Sequence, residues 1–282
     1  MSILSSICWS FFFTAVGSPV ALQLRGTEIL CREMERWSGR VVIVTGASAG
    51  MGAALCRRLA ERGMRVVGVA RRVERVQALA KEAKGEIHAV QGDVTKEEDV
   101  VRAVKWTREN LGGADVLINN AGMIQTSPLL SGTTEQWKQQ LDVNVLGVCI
   151  FTREVIKDMR DRGVDDGHIV HINSVMGHRI YSFAGLYLYS AAKHAVTVLA
   201  EGLRRELSEL GSHIRITSVS PALVKTEIMI ASGATQEQSD EFYKNTPSLD
   251  PINVVEAIEY ALGAPASVDV EEITLRVTCS KE

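Results

Sequence analysis

This 282-residue chain is poor in aromatic residues, at 5%, and carries only six prolines. Its five cysteines, Cys8, Cys31, Cys56, Cys149 and Cys279, are scattered without a CxxC pair. Such spacing gives no disulfide framework, argues against a structural zinc site and fits a reducing compartment. The histidines show no HExxH-type spacing, and His168 and His171 fall on a strand approach, where surface or core roles suit them better than metal ligation. No metal site is expected. A basic surplus is missing as well: 31 Lys and Arg against 34 Asp and Glu leave a net charge of −3, which speaks against a nucleic-acid partner. Internal repeats and low-complexity runs are absent.

Long uncharged runs are missing with one exception. From Ser2 to Leu24 no charge occurs, a length approaching a membrane span. Ala15-Val16-Gly17 is a weak small-residue cleavage cue, yet no basic segment precedes the apolar run, and Ser, Thr, Gly and Pro interrupt it. Residues 1–33 therefore read as a signal, an anchor or a non-structural extension, with Met34 as a natural second start. A cytoplasmic location is favoured. Membrane association or the secretory route stays open through residues 1–24.

What is present is alternation. Small and β-branched residues dominate the apolar set, which suits buried parallel strands covered by helices. Candidate strands span 40–46, 65–70, 86–93, 114–122, 167–174, 214–221 and 272–278. Helix-period segments lie near 51–62, 73–84, 96–111, 134–162, 187–210 and 253–263. This order predicts an α/β fold with a parallel sheet covered on both faces, placed in one domain over residues 34–282. Only 226–250 shows no clear order, and loops of that length are usually functional or mobile.

Four motifs carry chemistry. The first, "TGASAGMG" (Thr45 to Gly52), stands between a strand and a helix-period segment. Gly46, Gly50 and Gly52 let the backbone turn tightly and approach a ligand, and Ser48, Ala49 and Met51 supply the backbone between them. The helix N-terminus offers N–H groups and a positive dipole end to a pyrophosphate. A Walker A loop is excluded, because Met51 stands where its second glycine is needed. A plain glycine-rich turn is the alternative; the strand-before, helix-after context favours dinucleotide binding.

The second motif ends the next strand. Where an NAD site has an acidic residue for the ribose 2′-hydroxyl, this chain has Ala70 followed by Arg71 and Arg72. Guanidinium pairs with phosphate in bidentate geometry, so NADP(H) is favoured, with Arg71 ahead of Arg72; ordinary solvated arginines are the alternative. The third set is polar groups at strand ends. Asp93 and Val94 are placed beside an adenine, although Asp93 also reads as a helix N-cap. "NNAG" (Asn119, Asn120, Ala121, Gly122) is placed along the cofactor cleft, although either asparagine also serves as a partner for buried backbone.

The fourth is Asn144, Ser174, Tyr189 and Lys193. In "YLYSAAK", Tyr189 and Lys193 are four residues apart and share a helix face, whereas Tyr187 lies roughly 120° around the axis. A free tyrosine with a pKa near about 10 is a poor base at neutral pH, and a nearby ammonium favours the phenolate. The pair can give a proton to a carbonyl oxygen or take one from an alcohol while hydride moves to or from nicotinamide. Ser174, at a strand end, is placed to hydrogen-bond the substrate oxygen.

Taken together, "TGASAGMG", "NNAG", "YSAAK" and "SPALVKTE" resemble the short-chain dehydrogenase/reductase family in order and spacing, from Met34 to about Thr278. The resemblance implies a single-domain Rossmann fold, a doubly wound, mostly parallel seven-stranded sheet with helices on both faces, and a homodimer or homotetramer. It implies Tyr189 as catalytic acid/base, Lys193 on the nicotinamide ribose, Ser174 orienting substrate, and Asn144 holding a water in the proton relay. Cofactor contacts from Pro221, Val224 and Thr226 are implied as well. "MERWSGRVVIVTGAS", "VVGVARRVERVQALA" and "DDGHIVHINSVMGHR" are similar to the NADP-dependent farnesol dehydrogenase group within that family. That similarity implies a lipophilic alcohol or carbonyl as substrate, farnesol-like first, with ketosteroid or other carbonyl reduction as the alternative. From another class, a catalytically silent NADP(H)-binding sensor remains a rival. Two departures stand out. Ala222 replaces the glycine the family mostly has, and Ser174 and Tyr189 are two residues further apart than is commonest. The extra length lies in "GHRIYSFAGLYL", whose Tyr181, Phe183 and Leu186 read either as substrate contacts or as core cover.

Overall fold

The computed structural model describes residues 34–278; the charge-free segment and the other residues before Met34 lie outside them. Seven parallel strands form one sheet: β1 (Val41–Thr45), β2 (Arg65–Ala70), β3 (Ile87–Gln91), β4 (Val116–Asn119), β5 (His168–Ile172), β6 (Arg215–Pro221) and β7 (Glu272–Leu275), in the order β3-β2-β1-β4-β5-β6-β7. The strand order reverses between β1 and β4, and ligands of such sheets bind in the crevice at the carboxyl ends of the strands.

The helices are α1 (Gly50–Glu61), α2 (Val73–Glu82), α3 (Glu97–Leu111), α4 (Thr134–Leu141), α5 (Gly147–Asp161), α6 (Tyr187–Glu209), α7 (Ile228–Ala231), α8 (Gln236–Asn245) and α9 (Pro251–Gly263). They form two layers. Side chains alternate along a strand, and β1 divides its own between the two faces. Val42 and Val44 meet Leu55, Leu59, Ile258 and Leu262 of α1 and α9. Val41 and Ile43 join the opposite cluster, with Val100 of α3, Phe151 and Val155 of α5, and Ala200 of α6. All five β1 residues are buried, which is why the strand is apolar from Val41 to Val44 rather than alternating.

Two stretches depart from the sequence reading. The single helix expected over 134–162 is broken by a wide turn, Asp142–Leu146, where the Gly147 N–H donates to the Asp142 carbonyl five residues back. Asn144 supplies a reason: its Nδ2 donates to the Gln140 carbonyl at 3.0 Å, the acceptor its own backbone N–H takes in a regular helix. The stretch 226–250, expected to lack order, holds α7 and α8. Helix α8 is started by a reciprocal capping box, in which Gln238 N donates to Thr235 Oγ1 at 3.2 Å and Thr235 N to Gln238 Oε1 at 2.9 Å.

Candidate active site

The strand ends converge on Thr45. Its hydroxyl accepts from the backbone N–H groups of Asn120 and Ala121, both at 3.0 Å. Asn120 Nδ2 returns a bond to the Thr45 carbonyl at 2.8 Å. The end of β4 is thereby tied to the glycine loop after β1. The loop leaves no room for a side chain at Gly52, where a Cβ would sit 2.3 Å from the Gly46 carbonyl oxygen. Gly46 itself has φ of 68°, a conformation glycine adopts without strain. Helix α1 starts at Gly50, and its N-cap residue, Ala49, makes no side-chain cap. Its first-turn N–H groups thus point out of the helix with no side chain bound to them, the arrangement that receives an anion.

Around this loop, Arg72 Nη2 donates to Ser48 Oγ at 3.3 Å. Arg71 is exposed and makes no hydrogen bond or ion pair among the described residues. Asp93 accepts from Thr95 N at 3.0 Å and Thr95 Oγ1 at 2.8 Å. The N-cap of α3 is Lys96, so the capping alternative for Asp93 does not hold. Val94 packs on Gly147, where a Cβ would lie 2.9 Å from the Val94 carbonyl oxygen. Met51 packs against the core. Thr226 leans on Gly50, and a Cβ there would meet its side chain at 3.1 Å. Val224 is buried and its carbonyl accepts from Tyr243 OH at 3.1 Å. Pro221 ends β6, and Ala222 N continues the pairing to the Leu275 carbonyl at 2.8 Å.

The two asparagines have separate surroundings. Asn119, inside β4, donates through Nδ2 to Thr152 Oγ1 at 3.0 Å and lies 3.1 Å from His171 Nδ1, all three in the interior layer. Asn120, past the strand end, faces the loop. His168 and His171 are both buried on β5. Gly122 sits against Asn144, whose Oδ1 accepts from Met123 N at 3.1 Å and whose Nδ2 donates to Met123 O at 2.9 Å.

Ser174, Tyr189 and Lys193 come together, all buried. The Ser174 hydroxyl neighbours the Tyr189 phenol and accepts from Met176 N at 3.1 Å. Lys193 Nζ donates to the Ile172 carbonyl at 2.8 Å and lies 5.8 Å from the Tyr189 ring centroid. Tyr187, by contrast, is 41% exposed. Burial lowers Lys193 to about 8, which leaves it charged at neutral pH. Burial raises the Tyr189 phenol to about 12, and the neighbouring Ser174 hydroxyl pulls it down by less. Within the protein alone, burial thus sets the direction of the Tyr189 shift, upward rather than down as expected from the ammonium, and Lys193 directs its charge at a backbone carbonyl.

Beside this trio, Ile124, Tyr181, Leu186 and Ala222 pack around Val175, Met176 and Tyr189. Tyr181 stacks on Phe183, with centroids 6.3 Å apart, and its hydroxyl accepts from Arg276 Nη2 at 2.6 Å. Phe183 is 46% exposed. Among the described residues, no group of three or more His, Cys, Asp or Glu is placed to hold a metal.

Residues 40–237 match the family described as short chain dehydrogenase. The chain belongs to the short-chain dehydrogenase family. As a member, it is an oxidoreductase. It is 44% identical over 252 residues to the farnesol dehydrogenase of Aedes aegypti, covering 86% of this chain and 98% of that one. Against dehydrogenase/reductase SDR family member 11 of Homo sapiens, identity is 42% over 251 residues, covering 87% and 96%. A solved short-chain dehydrogenase structure, the closed form of serine dehydrogenase complexed with NADP+, superposes with a TM-score of 0.77 at 29% identity, covering 86% and 98%. Thr45, which ties the end of β4 to the glycine loop, was given no role of its own in the sequence reading; its signal was a hydroxyl at the strand terminus immediately before the first loop glycine. Glu227 and Arg75, paired at 2.8 Å at the edge of the loop, were passed over too, because 152 positions separate them.

Proposed function

We propose that this short-chain dehydrogenase is NADP(H)-dependent and interconverts a lipophilic alcohol and its carbonyl, with a farnesol-like isoprenoid alcohol as the first candidate. The observation that carries the reading is the buried Ser174–Tyr189–Lys193 cluster at the carboxyl end of β5, opposite the glycine loop after β1. The side-chain-free cradle of Gly46 and Gly52 fits a pyrophosphate, and Arg72 beside Ser48 fits a 2′-phosphate. The relative complexed with NADP+ supports the same cofactor.

The first-turn N–H groups of α1 would hold the diphosphate, with Ser48, Ala49, Met51 and Thr226 around it. Arg71 and Arg72 would hold the 2′-phosphate, Asp93 and Val94 the adenine, and Asn120, Ala121, Gly122, Pro221 and Val224 the remaining length of the cleft. When bound, nicotinamide supplies or accepts the hydride. The residues do the rest. Ser174 orients the substrate oxygen through its hydroxyl. Tyr189 holds its proton at neutral pH and donates it to a carbonyl oxygen on reduction. Lys193, charged beneath the ring, stabilises the phenolate left behind. Asn144 keeps the 123–124 backbone next to the cleft through its two bonds to Met123.

The apolar neighbours of Tyr189, namely Ile124, Tyr181 and Leu186, support a lipophilic substrate. A panel of farnesol, aliphatic alcohols, retinoids and ketosteroids with NADP(H) tests the reading. Farnesol or a related isoprenoid is expected to give the highest kcat/KM. Preference for a ketosteroid would reassign the substrate, and no turnover across the panel would favour the silent sensor. We also infer a homo-oligomer, built on the exposed apolar faces of α5 and α6.

A further inference from the structure

We propose that Glu227 is a cofactor-selectivity residue: its carboxylate competes with the nucleotide 2′-phosphate for Arg72 and Arg75. This rests on the NADP(H) reading above. Four residues from three parts of the fold meet here. Arg72 follows the end of β2 as the N-cap of α2, Arg75 lies in the first turn of α2, Ser48 is in the glycine loop, and Glu227 is the N-cap of α7 in the connection after β6. Glu227 Oε2 accepts from Arg75 Nη1 at 2.8 Å and lies 3.6 Å from Arg72 Nη2. The same Arg72 nitrogen donates to Ser48 Oγ at 3.3 Å. The carboxylate therefore stands at the guanidinium that a 2′-phosphate needs.

Its neighbour Thr226 packs on Gly50, which fixes where the Glu227 backbone begins. The Ala231 N–H donates to the Glu227 carbonyl at 2.9 Å, which anchors its other side. The carboxylate is thus held near the arginines by the fold rather than reaching them from a free loop.

The energetics favour competition over a structural clamp. The three side chains are 45 to 47% exposed, and pairs so exposed add little stability. A phosphomonoester carries about −1.5 to −2 charges and three acceptor oxygens, so it displaces a single carboxylate. That carboxylate still opposes binding, first by occupying Arg75 and Arg72 and then by repelling the phosphate. NADH lacks the 2′-phosphate and meets little of this opposition. Arg75 becomes a further phosphate-facing cation by the same geometry.

The test is direct binding of NADPH and NADH to the full-length protein by titration calorimetry, for wild type, Glu227→Gln, Arg72→Gln and Arg75→Gln, and for Glu227→Gln in the Arg72→Gln/Arg75→Gln background. Glu227→Gln is expected to tighten NADPH by roughly three- to tenfold and to change NADH by less than about twofold. The gain should shrink as salt rises and vanish in the double-arginine background. If wild type prefers NADPH but Glu227→Gln leaves its affinity unchanged, the Glu227 role fails while the cofactor reading stands. An equal gain for both nucleotides overturns the role too, because it reports repulsion of the shared diphosphate. Weaker NADH binding with NADPH unchanged would mean that the carboxylate holds a 2′-hydroxyl, and overturns it. If wild type binds NADH at least as tightly as NADPH and Arg72→Gln has no effect, the NADP(H) reading itself fails and takes this inference with it.

Discussion

At the scale of single residues, the phenol and the amine in the buried cluster depart from their ordinary states in opposite directions. Tyr189 is pushed up to about 12 and Lys193 down to about 8, both mainly by burial. A tyrosine that keeps its proton at neutral pH suits reduction, whereas alcohol oxidation needs the phenolate. The kcat/KM for oxidation is therefore expected to rise with pH and that for reduction to fall; parallel profiles in both directions would contradict the assignment. Tyr189→Phe is expected to lower kcat by roughly 10²- to 10⁴-fold while leaving NADPH affinity within a few-fold, and activity retained in that variant would remove Tyr189 from the chemistry. Tyr189 was legible against Tyr187 because a four-residue spacing is a statement about helix faces. The two asparagines of "NNAG" were not, because the sequence does not show where β4 stops. One position of strand length decides that Asn119 enters the interior with His171 and Thr152 while Asn120 leaves for the loop.

His171 has a separate consequence. Burial, reinforced by the charges of Lys193 and Arg204, holds it down at about 4 against an ordinary 6.5. Between those values the unfolded chain binds a proton that the folded chain refuses. Its contribution to stability is therefore present above pH 6.5 and is lost as pH falls towards 4, by up to about 3 kcal/mol. Buried His168, lowered in the same direction, adds to the slope. His171→Gln is expected to flatten the fall in urea midpoint between pH 6.5 and 4; an unchanged slope would show that another group carries it.

Among the elements, the glycine loop is the least tolerant. Gly52→Ala places a methyl 2.3 Å from the Gly46 carbonyl oxygen and 2.6 Å from Asn120 Nδ2. Relief requires moving the loop or breaking the Asn120–Thr45 tie. We expect a loss of roughly 1–3 kcal/mol in stability and at least about tenfold in NADPH affinity, read by thermal melting and calorimetry; wild-type affinity in this variant would exclude close backbone approach. The loop was readable in sequence because its glycines are spaced between a strand and a helix. Helix α8 was missed despite a visible signal, Thr235 followed three residues later by Gln238, because its polar sequence, QEQSDEFYKN, carries no apolar stripe. The break between α4 and α5 was missed for the opposite reason. The apolar period runs on through Asp142–Leu146, and only a side chain competing for a backbone carbonyl reveals the wider turn.

At the scale of the whole molecule, the sheet was legible because its strands are short runs rich in β-branched residues, and in β1, β2, β4, β5 and β6 burial on both faces leaves no competing register. The surface is less legible, since an exposed valine reads in sequence like a buried one. Val198 on α6 is 70% exposed, and with Val148, Ile156, Leu199 and Leu203 it lines an open groove of about 810 Å³ between α5 and α6. This groove lies away from Ser174, Tyr189 and the glycine loop. Its apolar lining is the surface expected to pack between subunits. Wild type should sediment as a dimer or larger at micromolar concentration. Val198→Arg puts an unpaired charge into that contact and is expected to weaken assembly by at least roughly 100-fold, with helix content preserved because the position is exposed in the protomer. A wild-type monomer would dismiss the interface, and an oligomer untouched by Val198→Arg would move it to another face.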